Sequence, residues 1–369
     1  MAAKPESFKR KRMVSSLLVN GALILICFIW IIPTLGVFVT SFRQPQDIFN
    51  TGWWTVLPHK AYAQTGEIKI PDSVDVNGLI PIEGITSNFE ALRQGVVLPD
   101  GRKLLWYGNK RTRTVTVSEE QWQWLGSNLT LDNYKNVLSG KEIRFKDAQG
   151  NEIVRKGNDL SGAFLNSIAV AVPATIIPIL IAAFAAYGFA WLNFPGRKIL
   201  FTIVVALLVV PLQIALVPIL RDYTALNLNG TFLAIWLAHA GFGLPLAVFL
   251  LFNYISLLPR EILESAFIDG ASNFTIFTRL ILPLSVPALA SFAIFQFLWV
   301  WNDYLVALVF LGDKNRVVTS ALAAIVGEKG QDWHLLTAGA FISMILPLIV
   351  FFALQRYFVR GLLAGSVKG

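Results

Sequence analysis

An all-α polytopic membrane protein of six spanning helices, with a mixed, β-containing insert after the first, is the fold class this sequence predicts. Three observations carry it. The 369 residues are 55% hydrophobic and 15% charged, with a mean hydropathy of +0.59, a balance foreign to soluble domains. Six apolar runs each approach or exceed the ~20 residues that a helix needs to cross a bilayer. A single polar stretch of more than a hundred residues, Gln44 to Leu160, stands apart from them.

The runs are Val14 to Val39, Ala163 to Trp191, Ile199 to Leu220, Thr231 to Ile255, Leu284 to Phe310 and Leu335 to Tyr357. Each is read as a helix because hydrocarbon offers backbone N–H and C=O groups no partner outside their own segment. The first follows Lys9 to Arg12, "KRKR", as a signal peptide would. It is longer than a typical signal core and no small-x-small cleavage site follows, so it is read as a retained anchor. Cys27, the one cysteine, lies inside it, which excludes an internal disulfide and a cysteine-built metal cluster.

Basic residues near span ends stay on the cytoplasmic side. With the N-terminus inside, Lys4, Lys9 to Arg12, Arg197, Lys198, Arg260, Arg279, Arg356, Arg360 and Lys368 make twelve on that side. Arg221, Lys314, Arg316 and Lys329 make four in the short outer loops. Both termini are therefore expected in the cytoplasm. The net charge of +8 then records topology and asks for no nucleic acid. The domain reading is a cytoplasmic start (1–13), helix 1 (14–40), an outer insert (41–160), a membrane core (161–357) and a cytoplasmic tail (358–369).

Within the insert, Val96 to Gly108 places apolar residues around an Asp-Gly turn, and "RTRTVTVS" from Arg111 alternates as a strand does, predicting a hairpin or small sheet. Leu129 to Gly140 reads as a short helix, with Thr130 or Asp132 as cap and Gly140 past its end. Trp53, Trp54, Trp122 and Trp124 suit either a membrane-interface belt or the insert's own core.

Between the fourth and fifth runs lies "ESAFIDGASNFTIFTRLILPLSVP", Glu264 to Pro287, inside a loop read as 259–283. Pro259 suits a first helical turn, and Glu261 and Glu264 sit near the positive end of the helix that follows. Gly270 is placed to end that helix, since a left-handed C-terminal position costs a residue with a β-carbon about 1–2 kcal/mol. Ser272 or Asn273 can cap a second helix. The product is helix, tight turn, helix, with Ala266, Gly270 and Ala271 keeping the bend slender and Ile262, Leu263, Phe267 and Ile268 giving it apolar surface. From periodicity alone, an amphipathic helix resting on its own bundle or on lipid explains it as well.

The same residues resemble the cytoplasmic signature loop of binding-protein-dependent ABC transporter permeases. Glu264, Ser265 and Ala266 stand where the pattern has Glu-Ala-Ala, Gly270 where it has its glycine, and Pro283 and Pro287 follow in place. "NYKNVL" from Asn133, "NSIAVAV" from Asn166, "FPGRK" from Phe194, "WND" from Trp301 and the C-terminal "RYFVRGLLAGSVKG" are similar to the carbohydrate-uptake branch, of maltose type, and the large insert to its alpha-glucoside members. The resemblance implies the type I importer permease fold with no catalysis on this chain. It implies a pair of ATPase subunits holding ATP and magnesium, a second and distinct permease, and an extracytoplasmic sugar-binding protein. The chain itself would bind no cofactor and no metal, and its remaining partner is membrane lipid. By the same resemblance Glu264, Ser265, Ala266, Asp269, Gly270 and Ala271 couple to the ATPases, Gly361, Gly365 and Lys368 of the tail also reach them, and the outer loop Gly312 to His334 faces the binding protein. A solvated loop without a role is the alternative for that last segment.

Polar groups inside the runs mark a pathway or join helices. Gln213, His239, Gln296, Asn302 and Asp303 are these groups. Alanine at Gln296 or Asn302 is expected to alter assembly or rate, whereas a clean loss of sugar specificity would mark either as a contact. A membrane enzyme is disfavoured, because His59, His239 and His334 are far apart and no H-E-x-x-H or G-x-S-x-G is present. The absence of a G-x-x-x-x-G-K-[ST] loop leaves ATP to a partner. A gradient-driven carrier or channel for a small polar solute is the closer rival, and it leaves the cytoplasmic helix pair unexplained.

Overall fold

Apolar side chains at most positions after Arg12 continue α1, Pro5–Ser41, as a helix exposed over most of Arg12–Ser41. The computed structural model of the chain describes residues 5–123, 129–140, 142–146, 152–156, 159–326 and 332–364. It forms two compact units, Met1–Thr130 and Leu131–Gly369. In the first, α1 runs into α2 (Pro45–Asn50) and a 3-10 turn at Trp53–Val56. Arg43, 4% exposed, fixes this corner by donating to the carbonyls of Asp47 at 2.7 Å and Thr51 at 3.3 Å. The insert follows as β1 (His59–Lys69), β2 (Ile80–Ile82), β3 (Ile85–Ser87), α3 (Phe89–Gln94), β4 (Val96–Val97), β5 (Lys103–Tyr107) and β6 (Thr114–Gln123). An antiparallel sheet in the order β1-β6-β5-β4 buries Leu104, Trp106, Val115 and Val117 against α3 and the β2–β3 hairpin.

The predicted hairpin is thus the middle of a larger sheet. Its longest strand, β1, went unread because "HKAYAQTGEIK" has few β-branched or aromatic residues. The core tryptophan is Trp106, while Trp54 and Trp122 are 61% and 59% exposed. The core role therefore fails for those two. Trp53 is half-buried against Gly36, and Trp124 lies outside the described residues. In the β4–β5 turn, Asp100 accepts from the backbone N–H of Arg102 at 3.0 Å and from its guanidinium at 2.7 Å. The backbone bond first, and the guanidinium after it, hold this carboxyl below the usual carboxylate range. A depressed folded value contributes stability above the unfolded value of about 3.9 and loses it as pH falls through the folded one. Acidification below about pH 4 should loosen the Leu98–Gly101 turn, read as faster amide exchange relative to the intrinsic rate, and Asp100→Asn should remove the pH dependence.

The second unit opens with α4 (Asp132–Ser139), hairpin β7 (Glu142–Lys146) and β8 (Glu152–Lys156), and α5 (Leu160–Trp191). Gly140 ends α4 with φ 79°, as read from sequence, but Leu131 occupies the capping position expected of Thr130 or Asp132. Val137 puts α4 in the core of the helical bundle, beside Leu160 and Ala338. The bundle continues with α6 (Arg197–Ala206), α7 (Leu212–Ala225), α8 (Phe232–Ile255), α9 (Arg260–Ile268), α10 (Asn273–Ile276), α11 (Leu282–Leu284), α12 (Val286–Asn302), α13 (Leu305–Leu311), α14 (Val318–Val326) and α15 (Trp333–Ala364). Among the described residues four helices, α1, α5, α8 and α15, suffice to cross a membrane unbroken, and two bent pairs bring the number to six.

Two predicted runs prove to be broken. Ile199 to Leu220 bends by 103° between Val209 and Leu212, where Pro211 pushes Val210 into an extended conformation, φ −70° and ψ 117°. Leu284 to Phe310 bends by 70° at Ser285 and then stops at Asn302, because Asp303 turns extended and starts α13. The close packing of α5 on α8 follows from small residues. Ala171, Ala174, Ala182 and Ala186 of α5, and Ala234, Ala238, Gly243 and Ala247 of α8, are all buried, which lets two backbones approach without polar or bulky obstruction.

Candidate functional site

The loop singled out in the sequence has a defined geometry. α9 ends in a double turn: Gly270, φ 72°, donates to the Phe267 carbonyl at 3.1 Å, and Ala271 donates to the Ala266 carbonyl at 3.0 Å. This is the Schellman pairing that a glycine just past a helix makes possible. Ser272 then caps α10 by accepting from the Thr275 N–H at 3.2 Å. The ladder widens to i→i+5 spacing over Phe277–Ile281, immediately ahead of Pro283, which cannot continue an ordinary helix.

This element is joined to the bundle through buried contacts. Leu263, Ile276, Phe277 and Ile281 share one apolar cluster with Ala183, Tyr187, Leu251 and Ile255 of α5 and α8. Phe277 stacks on Phe184 at 4.1 Å, and Asn273 receives the Tyr187 hydroxyl at 3.3 Å. Leu263, read from sequence as surface, is 1% exposed, whereas Ile262, Phe267 and Ile268 are 38%, 45% and 86% exposed. Ala266 and Ala271 are half-buried and pack on that cluster, so their small size serves close approach to the chain's own helices. Glu264, Ser265, Asp269 and Gly270 are exposed. The outward face thus combines acidic groups with large apolar ones.

The polar residues of the bundle fall into two sets. Gln213 and Asn302 are exposed, and Asn302 donates to Leu298 of its own helix at 2.8 Å. Gln296, His239 and Asp303 come together. Gln296, 3% exposed, donates to the carbonyls of Ala174 on α5 at 3.1 Å and His239 on α8 at 3.2 Å. Gly243 makes room for it, since a β-carbon there would lie 2.4 Å from Oε1. His239 is fully buried, with Nδ1 on the Ile235 carbonyl at 3.1 Å and Nε2 3.4 Å from Asp303 Oδ2. That approach is not a hydrogen bond, and the carboxylate is held by the backbone, Oδ2 accepting from Ala307 N at 3.0 Å and Oδ1 from Val306 N at 3.3 Å. Asp303 also receives the Thr319 hydroxyl of α14 on its carbonyl at 2.6 Å.

Sequence reading missed a regularity that explains part of this network. A proline inside a helix leaves the carbonyl four residues earlier without its N–H donor. Pro173, Pro178 and Pro347 do this to Ala169, Ala174 and Ser343. Each freed carbonyl is taken by a neighbouring helix: Ala169 by Trp236 Nε1 at 2.8 Å, Ala174 by Gln296, and Ser343 by Trp301 Nε1 at 3.0 Å. Helix-breaking residues are tolerated in spans where neighbours supply the missing bond.

The outer segment read as a hairpin-capable loop, Gly312 to His334, instead contains α14 and the start of α15. Val318 N donates to Ser167 of α5 at 2.8 Å, and Asn166 donates to the Arg316 carbonyl at 3.0 Å. Its first half is therefore bundle structure, and 327–331 lie outside the described residues. Gly361 continues α15 as helix, while Gly365 and Lys368 lie outside the described residues. Among the described residues no three metal-ligating side chains converge.

Helices long and apolar enough to cross a membrane, a helix-turn-helix packed against α5 and α8, and polar crosslinks between helices suit a membrane permease. The chain belongs to the family of binding-protein-dependent transport system inner membrane components, whose model matches residues 171–363. It is 48% identical over 352 residues to the osmoprotective compounds uptake permease protein GgtD of Synechocystis sp., covering 95% of this chain and 91% of that one. It is 44% identical over 390 residues to the alpha-glucoside transport system permease protein AglG of Rhizobium meliloti, covering 95% and 97%. The trehalose/maltose transport system permease protein MalG of Thermococcus litoralis is 35% identical, over 65% of this chain and 82% of its own. A solved bacterial alginate ABC transporter aligns over 54% of this chain and 78% of its own at TM-score 0.43 and 17% identity.

Proposed function

We propose that this chain is the permease subunit of an ATP-driven importer for a sugar, of the oligosaccharide or alpha-glucoside class such as a disaccharide. In this reading an extracytoplasmic binding protein delivers the sugar. A pair of separate ATPase subunits holds ATP and magnesium, and a second, distinct permease completes the path. The chain sits in the inner membrane of a bacterial cell with both termini in the cytoplasm. The sugar class is supported by the names of the alpha-glucoside permease, aligned along nearly all of this chain, and of the trehalose/maltose permease.

The observation that carries the coupling role is the construction of α9. Its inner face is one core with α5 and α8, and its outer face presents Glu264, Ser265, Asp269, Phe267 and Ile268 to a partner. An element with no slack on either side passes displacement on, which a flexible linker would absorb. Glu264 supplies the polar contact, Gly270 the turn, and the C-terminal end from Gly361 a second point of contact with the ATPases. The exposed Phe267 and Ile268 would be costly to leave in water, which favours a subunit cleft over bare solvent.

The test is purification from native membranes in mild detergent, followed by reconstitution. An ATPase and a second permease should accompany the chain, and ATP hydrolysis should rise when a binding protein loaded with an α-glucoside is added. Sugar transport by this chain alone, driven by an ion gradient, would overturn the proposal in favour of a secondary carrier.

A further inference from the structure

We infer that this chain carries a sugar site of its own, in the cavity of about 490 Å³ between the bent α6–α7 pair, α8 and α12. The volume lies within the ~300–1,000 Å³ range of small-molecule sites, which are typically apolar and aromatic with few polar groups. Its walls include Ile219, Tyr223, Gly241, Phe242, Pro245 and Trp299, and every lining residue is uncharged. This deepens the import reading above and rests on it.

Three polar groups are left over in this cavity. Trp191, Trp236 and Trp301 of the same bundle each donate their indole N–H to a backbone carbonyl. Among the described residues Trp299 Nε1 and the Tyr223 hydroxyl have no hydrogen-bond partner. Pro245 has no N–H to give the carbonyl of Gly241, and Gly241 is exposed on the cavity wall. Elsewhere in the bundle three such carbonyls are taken by a side chain of a neighbouring helix and that of Gly241 is not, so a carbonyl deprived of its i+4 donor, beside an unpartnered indole and hydroxyl, is a place for a hydroxylated guest. Trp299 brings an indole, which can stack on the apolar face of a sugar ring, to the cavity wall. The His239 ring meets this indole edge-on at 5.2 Å and 82°, and His239 is itself buried with Nδ1 on the Ile235 carbonyl. A neutral sugar fits these features better than an ion, which would find no counter-charge, or an acyl chain, which would leave all three groups unpaired.

The test uses the full-length chain in detergent, with Cys27→Ala and Ile219→Cys, labelled by a thiol reagent in the presence of maltose, sucrose or trehalose. At least one sugar should slow labelling, and Leu180→Cys, placed on an exposed face of α5, should label at the same rate with or without sugar. Trp299→Leu should raise the half-protecting concentration about tenfold and Tyr223→Phe about threefold, with Trp299→Phe between wild type and Trp299→Leu. Absence of protection by all three sugars, protection by phospholipid alone, or protection unchanged in Trp299→Leu each overturns the site. Uptake of the same radiolabelled sugars by vesicles carrying the complete transporter reports separately on the import reading. Uptake without protection removes the site and leaves import standing.

Discussion

Gly270→Val is expected to reduce sugar uptake about tenfold or more while the chain still inserts and accumulates at its normal level. The reason lies in the backbone. A β-carbon at this position meets nothing within 4 Å, so crowding plays no part. The φ of 72°, however, costs an ordinary residue about 1–2 kcal/mol, and a β-branched one is an outlier there. The cheapest escape is to leave the left-handed region, which gives up the bonds from Gly270 to Phe267 and from Ala271 to Ala266 and re-aims α9 relative to α10. Leu263 and Ile276, on either side of the turn, are both buried in the bundle, so insertion survives but the lever no longer points at its partner. Gly270→Asn, which tolerates the left-handed region, should retain most activity. Uptake and ATP hydrolysis in the same vesicles are the measurement, and hydrolysis should continue while uptake falls. Normal uptake by the valine variant would contradict the coupling role.

Much of this architecture is legible in the sequence because a bilayer removes alternatives. A run of apolar residues must pair its own backbone, so α1, α5, α8 and α15 follow from hydropathy alone, and Gly270 follows from the cost of a left-handed turn. The breaks were harder to see. Pro211 and Asp303 sit inside runs whose average hydropathy stays high, and a window average hides a change of direction at one residue. The strand β1 lacks the residues that announce strands, and it forms because β6 offers it a partner 55 residues later in the chain, from His59 to Thr114. The polar network was read as residue types without contacts. Gln296, His239 and Asp303 were found, but their convergence depends on which helices lie side by side. Pro173, Pro178 and Pro347 each announce an orphaned carbonyl four residues earlier, and Trp236, Gln296 and Trp301 are nearby donors on apolar helices. Of the groups lining the cavity, Gly241 carries the same signal, four residues before Pro245, whereas Tyr223 and Trp299 give none, since each is ordinary in a spanning helix until the bend at Pro211 opens a space beside it.

The proline rule makes a second prediction that a simple hydrogen-bond deletion does not. Gln296→Leu should destabilise the bundle by about 1–3 kcal/mol, because it strands the buried Ala174 carbonyl and removes a bond to that of His239. Thermal inactivation in detergent should show the loss. If Ala174 depends on Gln296 because Pro178 has no N–H to offer, restoring that N–H should reduce the dependence. Pro178→Ala alone loses buried ring contacts and will itself weaken the packing, Pro178 being among the buried residues of α5. The informative quantity is therefore the coupling in a double-mutant cycle, in which that packing loss cancels. Gln296→Leu should cost about 1 kcal/mol less in the Pro178→Ala background than in the wild type. The residual cost belongs to the His239 carbonyl and to the space left at Gly243. Equal cost in both backgrounds would mean that Gln296 is held for another reason, with transport itself the first to examine, because the same side chain ties α12 to both α5 and α8.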